Sequence, residues 1–153
     1  MSTKVLSKEL SSIGVAQVML GFIQLTFGIP WYYVARDLSG HDAVTPFWTG
    51  IWYIISGGLT TEIKNLSNAF KVKVVLGTNV ISGLVAGVGI IAYSLSFYHR
   101  KWNHWGYRPT AQVAFVLLLQ MFTVAELVLA VISAVLIARY FFRCCNLNAV
   151  SVS

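Results

Sequence analysis

Glu126 is the one acidic or basic residue inside a long apolar run, near the middle of Thr110 to Ala138. Insertion scales charge roughly 2.5 to 3.5 kcal/mol for an ionised residue at the centre of a membrane helix, so a carboxyl group there should turn toward protein and be protonated or hydrogen-bonded. The amides Gln17, Gln24 and Asn79 and the hydroxyl of Ser56 lie in similarly apolar surroundings. Depth suggests partners. Glu126 is 13 residues from Arg139 and Gln24 is 14 from Leu10, which predicts that these two side chains meet. Asn79 and Ser56, each six residues from a polar boundary at Lys73 and Glu62, form a second depth-matched pair. Such groups act as hydrogen-bonding glue between helices, at about 0.6 kcal/mol per bond, or as an ion or proton site. Glue is the simpler reading, because a water-filled path needs more polar residues than these runs offer.

Other reactive residue types lead nowhere catalytic. His99 and His104 stand five apart in a basic, Trp-rich stretch with no further ligands, which reads as a headgroup-level segment and not a metal site. No nucleophile, base and orienter, no phosphate loop and no paired carboxylates can be found, so neither catalytic residues nor cofactors are expected. Cys144 and Cys145 are adjacent, which disfavours a disulfide between them. They follow the last apolar run beside Tyr140, Phe141, Phe142 and Arg143, a setting suited to juxtamembrane acylation.

The elements that must position these residues are membrane helices. Of 153 residues, 57% are hydrophobic and only 10% charged, against about 25% charged in soluble domains. The net charge of +6 would suit nucleic acid in a soluble protein. Here Lys and Arg are confined to segments between apolar runs, where they set orientation, and nucleic acid is not an expected partner. One membrane domain, residues 1–153, is expected, with spans at about 13–34, 44–61, 74–98 and 110–138, short loops and an all-α four-helix transmembrane bundle. The first apolar run is too long for a cleaved signal and reads as a span.

Small and polar residues mark the faces that should meet other helices. Gly14, Gly21 and Gly28 recur at seven, with Gln17 and Gln24 at the intervening positions of the same helix face. Pro30 comes late in the first span, just before Trp31-Tyr32-Tyr33, which fits a helix ending in an aromatic belt at the water interface. The second run is uncharged from Ala43 to Thr61, with Trp48 and Trp52 toward its start and Ser56, Gly57 and Gly58 toward its end. Gly50, Ser56 and Gly57 are its expected packing residues. In the third run Asn79, Gly83 and Gly87 follow at four-residue steps, a GxxxG pair extended by an amide.

Four spans place both termini on one side. That side carries Lys4, Lys8, Lys64, Lys71, Lys73, Arg139 and Arg143, against Arg36, Arg100, Lys101 and Arg108 on the other, so the positive-inside rule makes both termini cytoplasmic.

The wording of the spans adds a resemblance. Span one carries Ile13-Gly14-Val15-Ala16-Gln17-Val18-Met19-Leu20-Gly21-Phe22 and a later Phe27-Gly28. Span two reads Pro46-Phe47-Trp48-Thr49-Gly50-Ile51-Trp52-Tyr53-Ile54-Ile55-Ser56-Gly57. Span three has Leu76-Gly77-Thr78-Asn79-Val80-Ile81-Ser82 with Ala86, Gly89 and Ile90, and span four has Glu126-Leu127 with Cys144-Cys145 beyond it. Together these resemble the membrane-spanning four-domains subfamily A, the tetraspan family of the B-lymphocyte surface antigen and the high-affinity IgE receptor beta chain. Span two is similar to its most diagnostic phrase, PFWxGxWFIISG.

The resemblance implies a non-catalytic modulator or scaffold of receptor signalling, trafficking or calcium entry. It would sit in the plasma membrane or endosomal membranes, in contact with lipids, as a homo- or hetero-oligomer or beside a receptor. A channel or transport subunit with Glu126 on a polar path is the alternative. Two departures limit the carry-over. His99 to Pro109 is shorter than the family's usual second outer loop and has no cysteine, and Tyr140 lacks an immunoreceptor-type YxxL or YxxI context.

Overall fold

The computed structural model describes residues 3–35, 40–63, 69–103 and 110–151, and side chains mainly within 4–33, 44–63, 69–95 and 113–143. Four helices account for nearly all of it: α1 Thr3–Ala35, α2 Gly40–Thr61, α3 Ala69–Asn103 and α4 Thr110–Ser151. No strand occurs among the described residues. Each helix packs on its neighbours in chain order and α4 closes on α1, giving an all-α four-helix bundle. Stretches of α1, α3 and α4 (Lys4–Tyr33, Ala69–Leu95 and Val113–Arg143) are long and apolar enough to cross a membrane. The 22 residues of α2 would reach about 33 Å, with Thr, Ser and Gly interspersed among its apolar and aromatic residues.

The helices outrun the expected spans. α1 starts at Thr3 and α4 continues to Ser151, so segments read as polar flanks are helical. Hydropathy finds the lipid-length core of a helix, whereas the helix itself persists while one face stays covered. Here Leu6 and Leu10, four apart, join Ile63, Val72, Val75 and Ile137 in a buried cluster at the bundle end formed by the start of α1, the end of α2, the start of α3 and the late part of α4. Gly40, expected in a loop, is the first residue of α2. At its other end α1 runs through Pro30 to Ala35, one residue past the expected end of the first span at residue 34. Proline removes one N–H donor, but Trp31, the next residue, is fully buried with Tyr93, Val116 and Leu119, which holds the helix in place. Trp31 thus belongs to the core, while Tyr32 and Tyr33 are exposed.

Burial follows one rule along the chain. In α1 it falls on positions 10, 14, 17, 21, 24, 28 and 31, in α3 on 72, 75, 79, 82, 86, 89 and 93, and in α4 on 116, 119, 123, 126, 130, 133 and 137. Alternating steps of three and four are a heptad seam, the pattern of gently supercoiled helices packed knobs into holes. The opposite faces are greasy. Met19, Phe22, Trp48, Leu84, Val88, Leu95, Met121 and Val131 are among many large apolar side chains exposed on the outside of the bundle. Between α2 and α3 this surface dips into a groove of about 570 Å³ lined by Trp48, Leu84, Val88 and Ala92.

Candidate functional site: a polar core joining four helices

Two kinds of residue occupy the seam. The first are glycines, all in ordinary helical conformation among the described residues, so their value is space and not backbone freedom. A Cβ built on Gly14 would lie 2.7 Å from the Gly57 carbonyl oxygen, and one built on Gly57 would lie 2.6 Å from the Gly14 oxygen. Gly21 and Gly50 repeat the arrangement at 2.8 and 3.0 Å, and Gly28 meets Pro46 at 3.1 Å. Two antiparallel helices sharing a seven-residue repeat bring glycine opposite glycine, and the Cα–H groups then lie against facing carbonyls. The α3 glycines behave differently. A Cβ on Gly83 would make ordinary contact with Leu127 and Ala130 at 3.8 and 3.9 Å, and Gly87 has nothing within 4 Å. Gly87 is therefore no packing residue within the chain. Gly89 is the close one, 3.3 Å from the Thr123 methyl and 3.5 Å from that of Thr49.

The second kind are polar side chains, which form a continuous buried network. Asn79 of α3 is its most fully used member. Its Nδ2 donates to Thr60 Oγ1 of α2 and to the Val75 carbonyl, both at 2.9 Å. Its Oδ1 accepts from Ser133 Oγ of α4 at 2.6 Å and from Gln17 Nε2 of α1 at 3.2 Å. Both donors and both lone pairs are satisfied, and all four helices meet at one side chain. Gln17 Nε2 also donates to Glu126 Oε1 at 3.0 Å, and Ser82 Oγ donates to the same oxygen at 3.2 Å. Ser56 of α2 joins through Ser82 at 3.2 Å. Two helical turns along α1, Gln24 Nε2 donates to Thr49 Oγ1 of α2 at 3.0 Å and to Thr123 Oγ1 of α4 at 3.3 Å. The hydroxyls of Thr49 and Thr123 in turn donate to carbonyls of their own helices, Thr45 and Leu119.

Gln17, Gln24, Ser56, Asn79 and Glu126, singled out in the sequence, thus lie in one core, but with partners other than those expected. Glu126 meets Gln17 and Ser82 instead of Gln24, and Ser56 bonds Ser82 while Asn79 reaches α2 one turn away at Thr60. The error lies in the zero of depth. Leu6 and Ile137 share one cluster and mark the same level. Gln17 is 11 residues above Leu6 and Glu126 is 11 above Ile137, about 16 Å in each case. Counting from Leu10 and Arg139 started α1 four residues too high and α4 two residues too low, which together make up six of the seven residues between Gln17 and Gln24.

Sequence reasoning missed Thr49, Thr60, Ser82, Thr123 and Ser133, all fully or almost fully buried. The signal was present: each lies on its helix's heptad seam. Tyr53 and Tyr93 share this interior. The Tyr53 hydroxyl lies near Thr123, and that of Tyr93 lies near Gln24 and Thr49. Neither makes a hydrogen bond of ordinary geometry, and Gln17 Oε1, Gln24 Oε1 and Glu126 Oε2 are likewise unpartnered.

No group of three or more His, Cys, Asp or Glu able to hold a metal occurs among the described residues. The side chains of Cys144 and Cys145, and those of His99 and His104, lie outside the described residues. The eight side-chain bonds between helices (Gln17 to Asn79 and Glu126, Gln24 to Thr49 and Thr123, Ser56 to Ser82, Asn79 to Thr60, Ser82 to Glu126, Ser133 to Asn79) amount to about 5 kcal/mol at membrane-protein averages. That is a substantial share of a domain's stability. The arrangement can bind helices together and can hold a proton.

Comparison with known proteins follows the same helices. A family model described as the CD20-like family matches residues 12–106, which include the α1, α2 and α3 parts of the polar core. The chain is similar to Membrane-spanning 4-domains subfamily A member 15 of Mus musculus, 29% identical over 131 residues, 84% of this chain and 51% of that protein. It is similar to the High affinity immunoglobulin epsilon receptor subunit beta of Rattus norvegicus, 33% identical over 92 residues, 56% of this chain and 38% of that protein. Membrane-spanning 4-domains subfamily A member 12 of Homo sapiens is 32% identical over 92 residues, 55% of this chain and 34% of that protein. In these three matches the chain spans about a third to a half of the relative's length.

Proposed function

Because the chain belongs to the CD20-like family, we propose that it is a non-catalytic tetraspan membrane protein that modulates or scaffolds cell-surface receptor signalling, trafficking or calcium entry by lateral assembly. The observation that carries this reading is the division of labour between inside and outside. Inside, polar groups from all four helices bond chiefly to one another. Outside, the described surface of the spans is predominantly large apolar side chains. Such a bundle holds its own shape and offers its exterior to lipid and to other membrane helices. Similarity to a protein named as a receptor subunit supports a receptor as the partner.

In this reading α2 crosses the membrane with the other helices, lined along α1 by its glycines. Both termini face the cytoplasm. The exposed bases Lys4, Lys8, Lys71, Lys73, Arg139 and Arg143 surround the buried Leu6, Leu10, Val72 and Ile137 cluster at that end, as the positive-inside rule requires. The channel alternative fits less well. Apolar clusters close the bundle on either side of the polar core, Leu6, Leu10, Ile63, Val72, Val75 and Ile137 at one end and Trp31, Tyr93, Val116 and Leu119 at the other.

Affinity purification of the full chain from native membranes, with quantitative identification of partners, tests the proposal. A stoichiometric receptor polypeptide is expected, together with silent liposomes when the protein is reconstituted alone. Ion flux from the purified protein that disappears in Glu126→Gln would replace the modulator reading with the channel.

A further inference from the structure

Glu126 is fully buried, and its two carboxyl oxygens are treated unequally. Oε1 accepts from Gln17 Nε2 of α1 and Ser82 Oγ of α3. Oε2 is buried without a partner. The groups bonded to this carboxyl are neutral, Gln17 from α1 and Ser82 from α3, and the buried side chains nearest its level on the other two helices, Tyr53 of α2 and Thr123 one turn away on α4, are uncharged hydroxyls. Among the described residues Glu126 is the sole Asp, Glu, Lys or Arg that is buried, so no buried cation among them balances it. An ionised carboxylate with one bare oxygen, in a bundle surrounded by lipid and without a counter-charge, is the least favourable state such a group can take. A carboxylic acid is a far better fit. One oxygen accepts, and the other carries a proton and donates.

Tyr53 of α2, fully buried with an unpartnered hydroxyl, lies between Thr49, which shares Gln24 with Thr123, and Ser56, which bonds the Ser82 donor to Glu126, so its side chain enters the core at the level of this carboxyl. That matters for the architecture, because α2 and α4 lie diagonally across the bundle, whereas every extensive helix contact joins neighbours. We propose that Glu126 is a proton-binding site, holding a proton on Oε2 that it donates, directly or through one water, to the Tyr53 hydroxyl, so that the bound proton ties the diagonal pair α2 and α4. With the proton in place, a single carboxyl group joins α1 through Gln17, α3 through Ser82 and α2 through Tyr53. Without it, the acid loses its donor, and the centre of the bundle holds a negative charge that these amides and hydroxyls only partly solvate. The step is a simple association: a proton from solvent adds to the carboxylate, and no other bond is made or broken.

Infrared difference spectroscopy on the full chain in phosphatidylcholine nanodiscs reads this directly. The sequence holds three glutamates, and Glu9 and Glu62 are exposed, so ¹³C-glutamate labelling isolates Glu126 as the sole buried carboxyl in the label. A protonated-carboxyl C=O band is expected at neutral pH that moves with the label and vanishes in Glu126→Gln. Tyr53→Phe removes the acceptor and Ser82→Ala removes a donor to Oε1, so both should move that band to higher frequency. These two variants carry the assignment even if Glu126→Gln fails to assemble. Carboxylate bands alone at neutral pH overturn the proton site. A label-sensitive C=O band that Tyr53→Phe leaves in place overturns the α2–α4 tie.

Discussion

Replacing Gly57 by alanine is the sharpest test of how α1 and α2 are joined. The new methyl would sit 2.6 Å from the Gly14 carbonyl oxygen, 2.8 Å from the Val18 nitrogen and 2.9 Å from the Gln17 Cβ. Ordinary contact begins near 3.4 Å, so the two helices must part by roughly 0.8 Å at this point. Two of the three obstructing atoms are helix backbone, which cannot swing aside as a side-chain tip can. Overpacking of this kind costs about 1 to 3 kcal/mol. The displaced turn also carries Gln17, whose amide bonds to Asn79 and Glu126. The neighbouring Gly58 supplies the control, because nothing lies within 4 Å of its Cβ position. Alanine there meets no obstruction and should be neutral or improve helix propensity by up to about 1 kcal/mol. Unfolding of the two variants in mixed micelles, followed by circular dichroism over a denaturing-detergent titration, should separate them by about 1 to 4 kcal/mol. Equal midpoints for Gly57→Ala and Gly58→Ala would refute the close glycine approach.

Asn79→Leu removes three bonds between helices and should cost about 2 kcal/mol in the same titration, against about 1 kcal/mol for Gln24→Leu, which removes two; a larger loss at Gln24 would contradict the ranking. Leu6→Ala should destabilise by about 2 to 4 kcal/mol although Leu6 precedes the apolar run, because its side chain is packed against the cluster of Ile63, Val72 and Ile137. A neutral Leu6→Ala in thermal denaturation would mean that the first turns of α1 do not seal the bundle. An alkyne palmitate analogue should label the wild-type chain and lose its hydroxylamine-sensitive signal when Cys144 and Cys145 are both changed to serine; signal that persists in the double variant would exclude these thiols as the acylation sites.

The seam of α1 was legible because glycine and glutamine stand out against apolar neighbours at a strict seven-residue spacing. The same seam in α3 and α4 was hidden, since Ser82, Thr123 and Ser133 are unremarkable one at a time and only their three-four alternation identifies them. The GxxxG cue misled in α3 for a geometric reason. On a 3.5-residue repeat, Gly87 lies about 100° round the helix from Asn79, whereas Gly89 lies about 50° to the other side. Asn79 and Gly89 are buried, and Gly87 is open. Helix ends were also underestimated. Hydropathy reports where lipid would contact a helix, and α1 and α4 continue past that limit through contacts such as those of Leu6 and Phe141. Partner choice in the polar core depended on a common level that composition does not supply.

The account's central claim is that the polar groups within the bundle act on one another as structural bonds. A double-mutant cycle of Gln17→Leu and Glu126→Leu, measured by unfolding in lipid–detergent micelles, isolates the 3.0 Å bond between them from the general cost of changing either residue. The account predicts non-additivity of about 0.6 to 1.7 kcal/mol, the range found for hydrogen bonds between membrane helices. Strict additivity, with each single variant folding independently of the other residue, would contradict it.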